Sequence, residues 1–360
     1  MSADPSTKAW LTLSLIQGLG GEGARHLLRE FGSPEAVLAA SPGSLKLFVK
    51  PEAASAVVRG VADEALASAL VWLEDDQNHI VTLGDSDYPQ SLLNITDPPL
   101  LLYVKGRLDL LNSTAFAIVG SRNATPQGVN NAEEFANSLS DAGLCIISGM
   151  AHGIDAAAHR GALRGQGGSL AVVGTGLDKV YPAANRDLAH ALAKQGALIS
   201  EFPLGTPPVG SNFPRRNRLI SGMSAGCLVV EASLQSGSLI TARQAMEQGR
   251  DVFAIPGSIH SPQSRGCHKL IKQGAKLVET AQDILEELAG VHMSVPGKAQ
   301  TANSGEDAGF LDQIGFDPVS MDELCLRSGL TVSQLSAMLL TLELEGRIAA
   351  LPGGLFQRIH

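Results

Sequence analysis

Aromatic side chains make up only 4% of this 360-residue chain, and nowhere does it approach the roughly 18 uninterrupted apolar residues that a membrane span requires. No membrane partner is expected. The opening Met1-Ser2-Ala3-Asp4-Pro5 sets no basic region ahead of an apolar stretch, so no secretory signal is read and a cytoplasmic protein is predicted. Cysteine is sparse. Cys145, Cys227, Cys267 and Cys325 are scattered without a C-x-x-C pair, which argues against both zinc and a disulfide framework and for reduced thiols. Neither a metal nor a cofactor is expected.

An excess of positive charge is also missing. The net charge of −9 argues at first against a polyanionic partner, but its distribution weakens that argument. Residues 1–113 hold 8 basic against 14 acidic side chains (−6), and 310–360 hold 3 against 6 (−3). Residues 114–290 hold 15 against 14 (+1), so a polyanion would have to meet a local basic patch there.

What the chain has in abundance is glycine, 39 residues, consistent with many strand-to-helix turns. Residues 1–79 read as a helical domain. Leu11, Leu13, Leu15 and Ile16 lead into Gly18-Leu19-Gly20-Gly21, and Ala24, Leu27, Leu28 and Phe31 follow at helical spacing. A helix, a Gly-rich turn and a helix could form a helix-hairpin-helix whose turn amides hold a phosphate; the −6 charge favours a helical packing domain instead. A second helical stretch covers roughly 53–77.

Residues 80–290 are predicted to form an α/β core. Apolar runs at 115–119, 144–147, 170–173, 197–199, 227–230 and 252–255 each end near glycine or a small polar residue, with helix-compatible stretches between them. Such runs suit strands buried on both faces of a doubly wound, mostly parallel sheet, with ligand expected beyond the strands' carboxyl ends. Residues 291–309 are small, polar and aperiodic, a linker. Residues 310–360 read as helix, turn, helix and hairpin, a winged helix, with Ser320 and Thr331 as helix caps. The helical stretch Thr331–Glu345 carries no Lys or Arg, and the domain's acidic balance weakens a duplex-DNA reading.

Five turns fall on the predicted sheet edge. Gly120-Ser121-Arg122 precedes Thr125-Pro126, a good N-cap and first helical residue, so that amides, the Ser121 hydroxyl and the Arg122 guanidinium would converge on one anion. It is not the G-x-G-x-x-G fingerprint, which disfavours NAD. The second turn, from Ser148-Gly149 to Gly153-Ile154-Asp155, places His159 four residues past Asp155. These two form either an acid/base pair or, as favoured, a structural hydrogen bond. The third, Gly174-Thr175-Gly176-Leu177-Asp178 with Tyr181-Pro182, has Lys179 and Arg186 beside it. Next, Phe213-Pro214-Arg215-Arg216-Asn217-Arg218 sets three arginine forks and an amide next to a ring that can stack on a base. The fifth, Ser236-Gly237-Ser238 with Thr241, offers hydroxyls at a helix start.

Together these motifs resemble one bacterial family, DNA-processing protein A (DprA, also called Smf). The likeness runs from Gly18-Leu19-Gly20 to the winged helix, and rests most on Ala117–Arg122, Ser148–Ala151 with Gly153–Asp155, and Gly176–Asp178 with Tyr181-Pro182, to which Phe213–Arg218, Ser236–Ser238 with Thr241-Ala242 and Ile255-Pro256-Gly257 add. The resemblance implies an extended Rossmann-like core that binds single-stranded DNA, protects it and helps load the RecA recombinase in natural transformation. It implies Arg122 as the principal DNA ligand, with Gly120, Ser121, Arg216, Arg218, Ser236 and Ser238 lining the groove. It further implies a homodimer through Met246, the segment 267–275 with Leu270 and Ile271, and Leu277. Ala183 departs from relatives that carry lysine after Tyr-Pro, a gap that Lys179 or Arg186 would have to fill. A competing reading is a nucleoside monophosphate phosphoribohydrolase of the LOG group. Its Pro-Gly-Gly-x-Gly-Thr turn is missing from the core, where the one Pro-Gly-Gly, Pro352-Gly353-Gly354, falls in the predicted wing. A nucleotide-sensing transcription regulator is the other alternative, and the acidic tail disfavours it.

Overall fold

A computed structural model describes residues 4–292, 310–311 and 314–359. Six short helices come first: α1 (Pro5–Leu15), α2 (Gly20–Phe31), α3 (Pro34–Ala39), α4 (Pro42–Leu45), α5 (Pro51–Arg59) and α6 (Asp63–Trp72). They bury Leu13, Ile16, Leu27, Val37, Leu45 and Val57 against one another, so this part has its own core. The tight α1–α2 connection depends on Gly18 and Gly20 at φ of 87° and 69°, a left-handed region that a β-carbon disfavours.

The chain then enters β1 (Asn78–Thr82), β2 (Leu101–Gly106), β3 (Ala115–Val119), α7 (Pro126–Asp141), β4 (Cys145–Ser148), α8 (Ile154–Ala162), β5 (Ser169–Val172), α9 (Arg186–Gln195) and β6 (Ala197–Ser200). It continues through α10 (Asn212–Met223), β7 (Ser224–Val229), α11 (Ser238–Glu247), β8 (Asp251–Ala254), α12 (Arg265–Lys272), β9 (Lys276–Leu277) and α13 (Ala281–His292). The nine strands form one sheet in the order β1-β2-β6-β5-β4-β3-β7-β8-β9. Strands β3 to β9 pair in parallel, while β2 meets β6 and β1 meets β2 antiparallel. Every residue of β3, β4, β5 and β6 is buried, which is why these segments lack polar alternation. One face packs on α10, α11 and α12 through Leu219, Ala242 and Leu270; the other on α7, α8 and α13 through Leu139, Ala158 and Ile284.

This is the expected α/β architecture, a mostly parallel sheet covered on both faces. Pairing also locates the ligand crevice. From central β3 the chain winds outward to β4, β5 and β6 on one side and to β7, β8 and β9 on the other. The switch point therefore lies between the carboxyl ends of β3 and β7.

The C-terminal unit comprises β10 (Val319–Ser320), α14 (Met321–Ser328), α15 (Val332–Leu344), β11 (Ile348–Leu351) and β12 (Leu355–Arg358), with the strands ordered β10-β12-β11. Ser320 Oγ accepts from the Glu323 amide, and Thr331 and Gln334 form a reciprocal capping box. Of the linker expected at 291–309, residues 291 and 292 belong instead to α13, and 293–309 lie outside the described residues. Burial pushes the Cys145, Cys227 and Cys267 thiols up to about 12, and none of the four cysteines is disulfide-bonded. Among the described residues no helix is long and apolar enough to cross a membrane.

Candidate nucleic-acid interface

A cavity of about 540 Å³ opens at the switch point, between the loop after β3 and the start of α11. Gly120 is required where β3 ends, because a β-carbon there would lie 2.6 Å from Ile154 Cγ1 and 2.9 Å from the Glu231 carbonyl oxygen. The next residues behave differently from the expected anion cradle. The Ser121 amide donates to the Glu231 carbonyl (2.8 Å), and the Asn123 amide to Ser121 Oγ (3.1 Å). Thr125 caps α7 by accepting from the Gly128 amide (3.0 Å), while its own amide and hydroxyl donate to the Glu231 carboxylate at 2.9 and 2.6 Å. The place where a phosphate would meet the start of α7 is therefore filled by the chain's own carboxylate. Glu231 was not singled out from the sequence; an acid directly after an apolar strand at the switch point is the signal that could have found it.

Arg122 is the group this loop leaves available. It is exposed and makes no ion pair among the described residues, and its guanidinium carbon stands 5.5 Å from the Phe213 ring centroid. Phe213 lies beside Gly174 and is followed by Tyr181, ring centroids 5.7 Å apart and planes inclined by 33°. Tyr181 is 43% exposed and joins Phe213 as a stacking surface that the sequence reading credited to Phe213 alone. The opposite wall is Ser236-Gly237-Ser238. The two serine hydroxyls lie 2.7 Å apart at the start of α11, a β-carbon on Gly237 would meet nothing within 4 Å, and Thr241 sits buried behind them.

The floor is polar but committed. Arg216, 4% exposed, donates to the carbonyls of Gly149 (2.7 Å) and Val172 and to Asn217 Oδ1 (3.1 Å). Burial draws its guanidinium down to about 10, with nearby Asp155 opposing, so it stays cationic at neutral pH. Burial likewise pushes the Asp155 carboxyl up while Arg216 pulls it down; one of its oxygens accepts from the Ala151 amide (3.3 Å). Arg216 thus forms the floor of the crevice, with Nε and one terminal nitrogen already held by the chain's own acceptors. Gly149 makes room for that guanidinium, since a β-carbon would lie 2.6 Å from its nitrogens. Gly176 is similarly closed, with the Asp178 carboxylate and the Pro203 carbonyl where a side chain would go.

The other predicted cations are dispersed. Arg218 points away from the crevice and pairs with the buried Glu201, which also receives Arg215 at 3.2 Å. Arg218 additionally donates to the Asp97 carbonyl and so joins the segment before β2 to the core. Lys179 is exposed, with Nζ on the Gly205 carbonyl at 2.5 Å, and Arg186 is exposed at the start of α9; neither lines the cavity. Of the expected dimer residues, Met246 and Leu277 are 38% and 50% exposed and Ile271 is half-buried. Leu270 is corrected: it is 3% exposed, packed into its own core beneath α12, and presents no surface to a partner.

Asp155 and His159 do not meet. His159 Nδ1 lies 2.7 Å from Ser169 Oγ, which itself donates to the Ile146 carbonyl, so the ring proton sits on Nδ1 and the buried Nε2 has no partner. Burial drives the imidazole down to about 3, helped by the positive charge of Arg216 and Arg160. In the unfolded chain histidine titrates near 6.5. The unfolded state therefore takes up the proton first. The stability tied to the neutral ring is complete above that value and is lost as pH falls towards the folded one. Urea midpoints should fall as pH drops from 6.5 to about 4.5, and fall less steeply in His159→Asn; parallel profiles for the two proteins would contradict this. Among the described residues no three His, Cys, Asp or Glu side chains converge as metal ligands.

Residues 79–289 match the family model described as DNA recombination-mediator protein A, and residues 294–354 match the DprA winged helix domain. The chain belongs to the DNA recombination-mediator protein A family. Within the family, Protein Smf of Escherichia coli is 45% identical over 300 residues, spanning 81% of this chain and 80% of its own. DNA processing protein DprA of Streptococcus pneumoniae is 49% identical over 203 residues, 56% of this chain and 72% of its own. The X-ray structure of the Streptococcus pneumoniae protein superposes with a TM-score of 0.69 at 38% identity, covering 80% of this chain and 99% of that one. A structure describing the single-stranded DNA binding mode of DNA processing protein A from Helicobacter pylori gives 0.55 at 28% identity, over 60% and 98%.

Proposed function

We propose that this protein is a single-stranded DNA-binding mediator, which protects incoming DNA and loads the RecA recombinase during natural transformation, acting by binding rather than by turnover. The observation that carries this reading is the exposed Arg122 guanidinium, in no ion pair among the described residues, standing over Phe213, whose ring is paired with Tyr181 at the switch-point crevice. Arg122 on one wall and the Ser236 and Ser238 hydroxyls on the other would take successive phosphates, and the two rings would take unstacked bases. A duplex, whose bases are already stacked, could not use the rings. Contacts of this kind position a strand without reading it, so sequence preference should be slight. The names of the relatives and the single-strand binding described for the Helicobacter pylori protein support the same reading.

Turnover is disfavoured because the two candidate acid/base groups, Asp155 and His159, are buried and apart. The Pro352–Gly354 segment lies in the turn between β11 and β12, away from the phosphate wall where a LOG-type hydrolase would need it. Self-association would use the face carrying Met246, Ile271 and Leu277. The test is fluorescence anisotropy with labelled single-stranded and duplex oligonucleotides in rising salt. Single strands should bind more tightly than duplex, and the logarithm of affinity should fall with the logarithm of salt by about 0.7 per phosphate held. Affinity that stays flat with salt, or preference for duplex, would overturn the reading.

A further inference from the structure

We infer that a second groove, between the N-terminal helices and the first turn of α10, is a phosphate-binding extension of the single-strand path; the inference rests on the crevice reading above. The groove encloses about 1080 Å³, twice the crevice, and none of its residues takes part in the crevice. Its cations come from three separate elements. Arg29 on α2 and Lys50 at the head of α5 are exposed and, among the described residues, in no ion pair; Arg215 on α10 has 57% of its side chain in solvent. Arg25 in the floor is structural, bound to Asp97 at 2.7 Å and to the Pro98 carbonyl at 2.7 Å.

Continuity comes from α10. Its first two turns send Phe213, Arg216 and Asn217 to the crevice and Arg215 to the groove. A backbone leaving the Phe213 ring over Pro214 therefore meets Arg215 next, and then Arg29 and Lys50. The −6 balance of residues 1–113 does not cancel this, because Glu74, Asp85 and Asp87 line a different depression near β1. Glu22 and Glu52 do stand in the groove, and they make the inference testable in both directions. Cations that hold phosphates lower affinity when neutralised, and acids facing the same phosphates raise it.

The experiment uses the full-length chain and labelled oligothymidylates of roughly 6 and roughly 20 nucleotides, the shorter within the size of one single-strand subsite. The double variant Arg29→Gln/Lys50→Gln should weaken the longer strand about fivefold, leave the shorter unchanged, and lower the salt slope on the longer strand by about 1.4. Glu22→Gln/Glu52→Gln should tighten the longer strand. All four side chains are exposed, so both variants are expected to fold, with thermal unfolding lowered only by the small loss of helix-end charges at Glu22, Arg29 and Glu52. Unchanged binding of the longer strand by the cation variant, equal loss at both lengths, or weaker binding by the acid variant would overturn the inference. Arg122→Ala reports on the crevice separately: it should weaken both lengths. If it weakens neither, the crevice reading fails, whatever the groove variants do.

Discussion

Arg216→Ala is expected to lower the free energy of unfolding by about 3–5 kcal/mol, the range for breaking a buried charge arrangement by removing one partner. Three losses coincide at this position. The carbonyls of Gly149 and Val172 lose their donor, Asn217 Oδ1 loses its contact, and the buried Asp155 carboxyl loses the cation that offsets its burial. Arg216→Lys should recover little, because an ammonium cannot serve two carbonyls and an amide in the plane of a guanidinium fork. Adding Asp155→Asn to Arg216→Ala should restore part of the loss, since it removes the stranded charge. Urea denaturation followed by circular dichroism measures each change. A loss under about 1 kcal/mol for Arg216→Ala would mean that the guanidinium is solvated and free to bind ligand, as the sequence suggested.

Arg122→Ala is expected to weaken single-stranded DNA binding at least tenfold, about 1.4 kcal/mol, while leaving stability unchanged. The separation of the two effects follows from placement. Arg122 is exposed and, among the described residues, in no ion pair, so truncation leaves no buried group unsatisfied, yet it removes a cation available at the crevice rim. Arg122→Lys should fall between wild type and alanine. It keeps the charge but loses the flat guanidinium that rests over Phe213 and can take two phosphate oxygens at once.

The sheet and its switch point were legible because strands buried on both faces leave unbroken apolar runs, and because Thr125, Ser320 and Thr331 are helix starts with a chemical reason. The contents of the crevice were less legible. Arg215, Arg216 and Arg218 look like one cluster in the sequence. A helix, however, advances about 100° per residue, so Arg216 turns to the floor, while Arg215 and Arg218, three residues apart on nearly one face, both reach Glu201, Arg215 with most of its side chain in solvent. Glycines on ligand turns, such as Gly149 and Gly176, can serve either the approach of a ligand or the packing of the chain's own groups. They make room for Arg216 and for the loop at Pro203, and composition alone cannot separate the two uses. Asp155 and His159 share helical spacing, yet His159 is drawn to Ser169 on β5, a partner ten residues away. Leu270 sits at helical spacing from surface residues but faces the sheet. In each case the missing information was direction, which only the packing of neighbouring elements supplies.

The central claim is that a single strand lies across the crevice rim at Arg122. The measurement that tests it most directly is fluorescence anisotropy of one labelled single-stranded oligonucleotide with wild type and Arg122→Ala, at two salt concentrations and with equal thermal unfolding verified. The account predicts salt-sensitive binding by wild type and at least tenfold weaker binding by the variant, with a shallower salt dependence. Equal affinities in two folded proteins would contradict it and move the DNA path away from the switch point.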